Sequence, residues 1–143
     1  MTTDKELMAC ADCLCLASRQ AARAVTAAYD RRLRPHGLRI TQFSILVALM
    51  LMGPTPMGEL ARFLGLERTT LTRNLALLEA RKWVLSRPGE SDARSRVVST
   101  TAAGAEMVRA AFPDWRKAQD AVAGAFGPVG VEALRSLART TVG

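Results

Sequence analysis

Apolar residues recur every three or four positions over most of the chain, and the points where that rhythm stops divide it into segments. Leu7, Ala11, Leu14, Ser18, Ala22, Val25, Tyr29 and Leu33 form one seam, which predicts a single long helix over residues 5–34. Pro35, His36 and Gly37 end it, because proline lacks a backbone donor and glycine permits the turn. Thr41 suits the N-cap of a second helix running to Met52. Phe43, Leu46, Val47 and Met50 line one side of that helix and Ile45, Leu49 and Met52 another, so it belongs between layers. Gly53 and Pro54 stop it. Thr55 as N-cap, with Pro56 at the first helical position, predicts a short helix through Leu64 that Gly65 closes.

The next helix, from Glu67 to about Lys82, carries Leu71, Leu75 and Leu78 at i, i+4 and i+7. A short helix, a glycine turn and a second helix make a helix-turn-helix layout. Residues 83–87 and 96–100 read as two strands joined by a polar, turn-rich loop over 88–95, a hairpin placed as a wing. Thr101 caps a long helix from Ala102 to about Ala125, in which Pro113 predicts a kink or break after Phe112. Gly127 and Pro128 open a last helix with Val131, Leu134 and Leu137 on one face. The fold class is mainly α, a winged helix-turn-helix with long N- and C-terminal helices outside it.

At 143 residues there is room for one domain, with a central lobe over 41–100 and outer helices over 5–36 and 102–143. Composition adds a charge of +7, and all but three of the 20 basic residues are Arg. The balance is +3 over residues 1–52, +3 over 53–100 and +1 over 101–143, so no one tail carries it. Arginine suits bidentate contacts to phosphate and guanine, although a membrane surface or an acidic protein also fits a basic chain. The start of the chain is polar and mixed in charge, unlike a secretory leader. The longest apolar run, Ile45 to Met52, is far short of the ~18 residues of a membrane span. Three cysteines crowded into residues 10–15 are no disulfide framework, so a reducing cytoplasm is the expected setting.

Chemistry concentrates on the helix after Gly65. Stepping about 100° per residue from Leu71, Thr69, Arg73 and Ala76 face away from the leucines, with Thr70 and Thr72 beside them. Three β-branched threonines in four residues are poor helix formers. Small hydroxyls beside an arginine let a backbone approach phosphates and can hydrogen-bond phosphate oxygens or base edges. An ordinary amphipathic helix with a few threonines satisfies the same pattern. On the wing, Arg94 at the tip, flanked by Arg87 and Arg96, suits a narrow, negative minor groove. Asp92 is placed to pair with an arginine and fix its rotamer.

In this order and spacing, Gly58-Glu59-Leu60-Ala61, Gly65-Leu66-Glu67-Arg68-Thr69-Thr70-Leu71-Thr72-Arg73 and the wing Asp92-Ala93-Arg94-Ser95-Arg96 resemble the MarR family of winged helix-turn-helix transcription regulators. The Asp-x-Arg wing followed by Thr101-x-x-Gly104 is the most telling part, and the resemblance spans roughly residues 10 to 140. It implies a homodimer joined through the outer helices. Arg68, Thr69, Thr70, Thr72, Arg73 and Asn74 would enter the major groove of double-stranded DNA, and Arg87, Asp92, Arg94 and Arg96 would reach the minor groove. Two-fold symmetry then implies a palindromic operator with half-sites ~10 bp apart or a multiple of that. Repression is the usual output of the family. The resemblance also implies release by an oxidant, or by a phenolic or aromatic-acid inducer bound where the second helix meets the DNA lobe.

Cys10, Cys13 and Cys15 leave three readings open: packing at an interface, a redox switch, or a soft-metal or metalloid site. In the peroxide-sensing subgroup of the family a reactive cysteine lies near the start of the first helix. Leu14-Cys15-Leu16-Ala17 resembles that place, and Tyr29 resembles a tyrosine that positions the thiol. The subgroup uses more than one tyrosine, whereas Tyr29 is the sole tyrosine here. Arg19, one turn beyond Cys15, is placed to stabilise a thiolate. Within an intact helix Cys13 and Cys15 would lie about 200° apart, so one ion could not take all three thiols.

His36, the one histidine, follows a proline at a helix end and reads as a polar terminus residue. No His-Glu-x-x-His, paired Cys-x-x-Cys or Gly-x-Ser-x-Gly occurs, so neither an enzymatic role nor a cofactor is expected. Two alternatives to a dimeric DNA-binding regulator are a winged helix used for protein contacts or non-specific architectural binding, and a thiol enzyme with a vestigial DNA lobe. A protein-binding winged helix would show an apolar outer face where this chain has hydroxyls and arginine.

Overall fold

The computed structural model describes residues 1–92 and 94–140; the alanine of the wing motif and the end of the expected 102–143 segment lie outside the described residues. The amino-terminal helix is not continuous. A four-residue helix α1 (Asp4–Leu7), capped by Thr3, leads into a 3-10 turn over Met8–Asp12. Cys13 is extended, with φ −61° and ψ 122°, and caps α2 (Leu14–Leu33). The expected helix over 5–34 is thus broken at Cys13. Every residue from 1 to 24 is exposed, so no packed neighbour in this chain holds the stretch in one helix. A further 3-10 turn over Arg34–His36 and left-handed Gly37 end α2, as the Pro-His-Gly sequence implies.

α3 (Ile40–Met52) lies at the centre. Phe43, Ile45, Leu46, Ala48 and Leu49 are all buried, so apolar residues on both sides do mark a helix between layers. Its N-cap is Arg39 rather than the expected Thr41. A carboxylate from α2 explains the shift: Asp30 Oδ1 accepts the Ile40 N–H at 2.8 Å, and Gln42 Oε1 accepts the Arg39 N–H at 3.2 Å. A tertiary contact therefore satisfies the helix start before Thr41.

Thr55–Pro56 is a strand, β1, and not a helix start; α4 (Met57–Leu64) begins after it. β1 pairs antiparallel with β3 (Arg96–Thr100), Thr55 opposite Val98, and β3 pairs in turn with β2 (Val84–Pro88). The sheet order is β1-β3-β2. Buried Thr55 is held in the sheet opposite Val98 and donates its hydroxyl to the Gly53 carbonyl, which leaves Pro56 as the residue before α4. α5 (Arg68–Ala80) follows left-handed Gly65 and buries Leu71, Leu75 and Leu78. It ends on Lys82 at φ 62°, where the Lys82 N–H reaches the Glu79 carbonyl and the Trp83 N–H reaches Leu78. That is the Schellman arrangement, with lysine in the left-handed position glycine usually takes.

α6 (Ala102–Ala138) starts on Thr101, whose hydroxyl accepts the Gly104 N–H at 3.1 Å and donates to the Lys82 carbonyl at 2.7 Å. A Cβ on Gly104 would stand 2.3 Å from the Trp83 carbonyl oxygen. The Thr-x-x-Gly signal is thus a joint: a cap plus a close backbone approach that fixes α6 against the start of the wing. The helix runs through Pro113 without a break, so of the expected kink or break after Phe112 the break does not occur. Pro113 and Arg109 are both exposed, so the carbonyl that loses its partner is open to water. The break comes at Gly127, with φ 70° and ψ 170°, and Pro128 begins the final segment as expected.

Candidate nucleic-acid interface

α4, the Gly65 turn and α5 anchor one face in the core through Leu60, Leu71, Leu75 and Leu78, which leaves the opposite face of α5 outside. Arg68, Thr69, Thr72 and Arg73 are exposed, and Thr70 and Asn74 are half-buried at its edges. Thr69, Thr72 and Arg73 thus lie on the outer side of the helix, with Arg68, Thr70 and Asn74 toward its two flanks. Two of them are held in place: Thr72 donates its hydroxyl to the Arg68 carbonyl at 2.8 Å, and Asn74 donates from Nδ2 to the Thr70 carbonyl at 2.9 Å. The Thr72 oxygen keeps acceptor capacity, and Asn74 presents Oδ1 in a fixed direction.

The amino end of α5 is open. Glu67 caps it with backbone alone, and no acidic side chain lies in the first turn. The Arg68, Thr69 and Thr70 N–H groups precede the first intrahelical bond, from the Leu71 N–H to the Glu67 carbonyl. Unsatisfied donors, the positive end of the helix dipole and Arg68 together favour an anion there, as phosphate contacts require.

In the wing, Asp92 does not fix an arginine rotamer. Its Oδ1 accepts the Arg94 backbone N–H at 2.9 Å, and its carbonyl accepts from the Ser95 N–H and hydroxyl. The carboxylate is committed to the turn backbone and sets the direction in which Arg94 leaves it. Arg96 is pinned: Nε donates to Ser86 Oγ at 2.8 Å and Nη2 to the Ser86 carbonyl at 3.4 Å. Arg87 pairs with Val97 and Arg96 with Pro88, so strand alternation puts these two arginines on opposite faces of the hairpin. The wing therefore presents Arg94 at the tip with one arginine to each side. Ser86 escaped the sequence reading; the diagonal that links it to Arg96 appears only once hairpin register is known.

The sensor candidates do not form one site. Cys10, Cys13 and Cys15 are free thiols and exposed. Arg19 Nη2 lies 3.4 Å from Cys15 Sγ, the contact that the i, i+4 spacing implies. Tyr29 does not approach Cys15 within the chain: both lie on the unbroken α2, 14 residues or about 21 Å apart. Its hydroxyl instead donates to Gln119 on α6, and the ring packs 6.5 Å from Trp115. Burial raises the Tyr29 phenol above its ordinary pKa. Because the chain turns at Cys13, the angular argument against three thiols meeting does not apply; even so, no set of three ligand-type side chains assembles among the described residues.

A family model described as MarR family matches residues 36–95, the stretch holding α3, the helix-turn-helix and most of the wing. The M. tuberculosis transcriptional regulator MosR, solved in complex with DNA, is 41% identical, with a TM-score of 0.77 over 87% of this chain and 92% of that one. The chain belongs to the MarR family. The uncharacterized HTH-type transcriptional regulator YwoH of Bacillus subtilis (strain 168) is 37% identical over 82 residues, 57% of this chain. The match spans 59% of that relative's length. A mutant MarR from E. coli complexed with operator DNA shares the fold at a TM-score of 0.76, with 20% identity over 88% of this chain and 91% of that one. MarR-type winged-helix architecture, with its long terminal helices, is thus the fold of this chain.

Proposed function

We propose that the protein is a homodimeric, sequence-specific DNA-binding transcription regulator that acts as a repressor on a palindromic operator. The observation that carries this reading is the outer face of α5: hydroxyls, an amide and two arginines on a helix with no acidic residue in its first turn and no side-chain cap from Glu67. An apolar outer face would have favoured a protein partner instead. The MosR and E. coli MarR structures with DNA support the same reading by likeness. Arg73 and Asn74 contact base edges, Arg68, Thr69, Thr70 and Thr72 contact phosphates and flanking bases, and Arg94 enters the minor groove with Arg87, Asp92 and Arg96 supporting it. The outer helices join two copies. No cofactor or catalytic chemistry is involved, and the protein works in the cytoplasm, where the operator is.

The signal that releases DNA is a small-molecule inducer or thiol oxidation. The Arg19–Cys15 contact on an exposed helix start favours Cys15 for the latter. Adding hydroperoxide to the DNA complex tests it: wild type should lose affinity and Cys15→Ser should not, and identical behaviour would remove Cys15 as the switch.

Binding to the DNA upstream of the gene, measured against random DNA at ~150 mM salt, tests the main reading. The upstream fragment should win by ~10³-fold or more. Arg73→Ala should erase ~1–3 kcal/mol of that preference, whereas Arg94→Ala should weaken both DNAs and flatten the salt dependence. Equal affinity for both DNAs in wild type would leave a non-specific architectural binder.

A further inference from the structure

α5 is held differently at its two ends. Along its length Leu71, Leu75 and Leu78 bury one stripe in the core, an attraction without direction. At the amino end Glu67 caps with backbone alone and the first N–H groups stay open. At the carboxyl end three consecutive residues are bonded to the roots of both outer segments. The Lys82 carbonyl accepts the Thr101 hydroxyl at 2.7 Å, and the Trp83 carbonyl accepts the Thr101 N–H at 3.0 Å. These two bonds tie the end of α5 to the start of α6. Arg81 makes the bond to the other side: its Nη1 donates to the Gly37 carbonyl, in the elbow over residues 34–37 that ends α2.

The Arg81 guanidinium is braced. Its central carbon stands 4.9 Å from the centroid of the Trp83 ring, a cation–π contact, while the Gly37 carbonyl holds Nη1. A Cβ on Gly37 would stand 3.0 Å from Nη1, so turn and guanidinium fit closely. The elbow is itself anchored, because His36 pairs with Asp114 on α6 at 2.8 Å. The end of α5, the end of α2 and α6 thus close a triangle, and Arg81 is one of its sides. The geometry gives this side chain leverage. α5 has 13 residues and is about 20 Å long, so a tilt of ~10° about its carboxyl end shifts its amino end by ~3.5 Å. That is one base-pair step of ~3.4 Å.

We propose that Arg81 is a positioning residue for DNA recognition: it fixes the tilt of α5 against the outer helices and so restricts the protein to one half-site spacing. It acts through the pose of α5 and not by touching DNA, since its guanidinium is turned to the elbow, at the end of the helix opposite the open N–H groups. The inference rests on the reading of the protein as a dimeric DNA-binding regulator. Without the bond to Gly37, the α5 of each copy tilts to meet half-sites one base pair nearer or farther, and selectivity between spacings falls.

Fluorescence anisotropy of the full-length protein on three duplexes tests this: the upstream DNA with its mapped half-sites, and copies with one base pair inserted or deleted between them. Wild type should bind the native spacing about tenfold more tightly than either copy. Arg81→Met keeps an apolar stem without the donor, and its preference should fall to about threefold or less with an unchanged salt dependence. Arg81→Lys keeps a donor and the charge, and should restore much of the preference. Should Arg81→Met not fold, Arg81→Gln, too short to reach Gly37 from the same backbone, carries the same expectation. A spacing preference in the variant equal to that of wild type would overturn the inference. So would equal weakening on all three duplexes, whether a lowered melting temperature marks a structural role or a salt slope smaller by about 1 marks a phosphate contact. Wild type that prefers the upstream DNA to random DNA but accepts all three spacings equally overturns the inference alone. No preference over random DNA would overturn the regulator reading and this inference with it.

Discussion

The lobe around α3 and the helices outside it treat apolar residues in opposite ways. In the lobe, Leu46, Leu60, Leu71 and Val98 are 0% exposed, and the core closes on α3 from several sides. Outside it, Leu14 is 85% exposed and Leu137 68%, with Leu7, Met8, Phe126 and Leu134 also open. α6 shows both behaviours: its first half buries Val108, Ala111 and Ala118, and its last segment buries nothing. The lobe is complete in one chain, whereas the outer helices present an apolar surface that one chain does not cover. Burial of such surface at about 25 cal/mol per Å² is a large driving force for a second copy to cover it. The lobe thus closes its core within one chain, and in the proposed dimer the spacing between two lobes would be left to the interface.

Substitutions in the two regions should separate along that line. Leu71→Ala removes a fully buried side chain from under the recognition face and should cost about 3 kcal/mol in denaturant unfolding. That loss should be the same at low and high protein concentration once referred to the same oligomeric state. Leu137→Asp places a charge on the open apolar surface. It should raise the dimer dissociation constant about tenfold or more in sedimentation, equivalent to ~1.4 kcal/mol, with the lobe's helical signal retained. An unchanged dissociation constant would place the interface elsewhere. Lys82→Gly relieves a left-handed lysine and should stabilise the lobe by ~1 kcal/mol at every concentration.

The smallest effect concerns the seam between the regions. His36 Nε2 lies 2.8 Å from Asp114 Oδ2 and Lys117 Nζ 3.0 Å from Oδ1, joining α6 to the elbow that leads into α3. The hydrogen bonds from His36 and then Lys117 hold the Asp114 carboxyl below its ordinary 3.8. A depressed carboxyl contributes stability above its unfolded value and loses it as pH falls through the lower folded one. Wild type should therefore melt slightly above Asp114→Asn near neutrality, with the gap closing as pH drops below 3.8. A gap that persists at lower pH would mean that the carboxylate charge is not its source.

The same contrast decides what could be read from the chain. α5, its leucine stripe and the wing were legible, because period, turn residues and cap all lie within the elements themselves. The N-cap of α3 was not, since the group that satisfies its first N–H is Asp30 on another helix. β1 was not either: Thr55-Pro56 has the composition of a helix start, and its partner Val98 lies 43 positions away. No break follows Pro113, where the exposed Arg109 carbonyl that loses its donor can be satisfied by water. On α5, the division between the buried leucines and the exposed Thr69, Thr72 and Arg73 was legible. The role of Asp92 as a turn carboxylate and the pinning of Arg96 by Ser86 depend on geometry that spacing does not carry.

In the proposed function, two copies joined through their outer helices present α5 and the wing to successive turns of DNA. Hydroxyl-radical footprinting on the DNA upstream of the gene tests it most directly. Two protected patches related by a two-fold axis are expected, with centres ~10 bp apart or a multiple of that, and minor-groove protection at their outer edges that disappears with Arg94→Ala. A single asymmetric patch, or uniform protection without a preferred position, would contradict it.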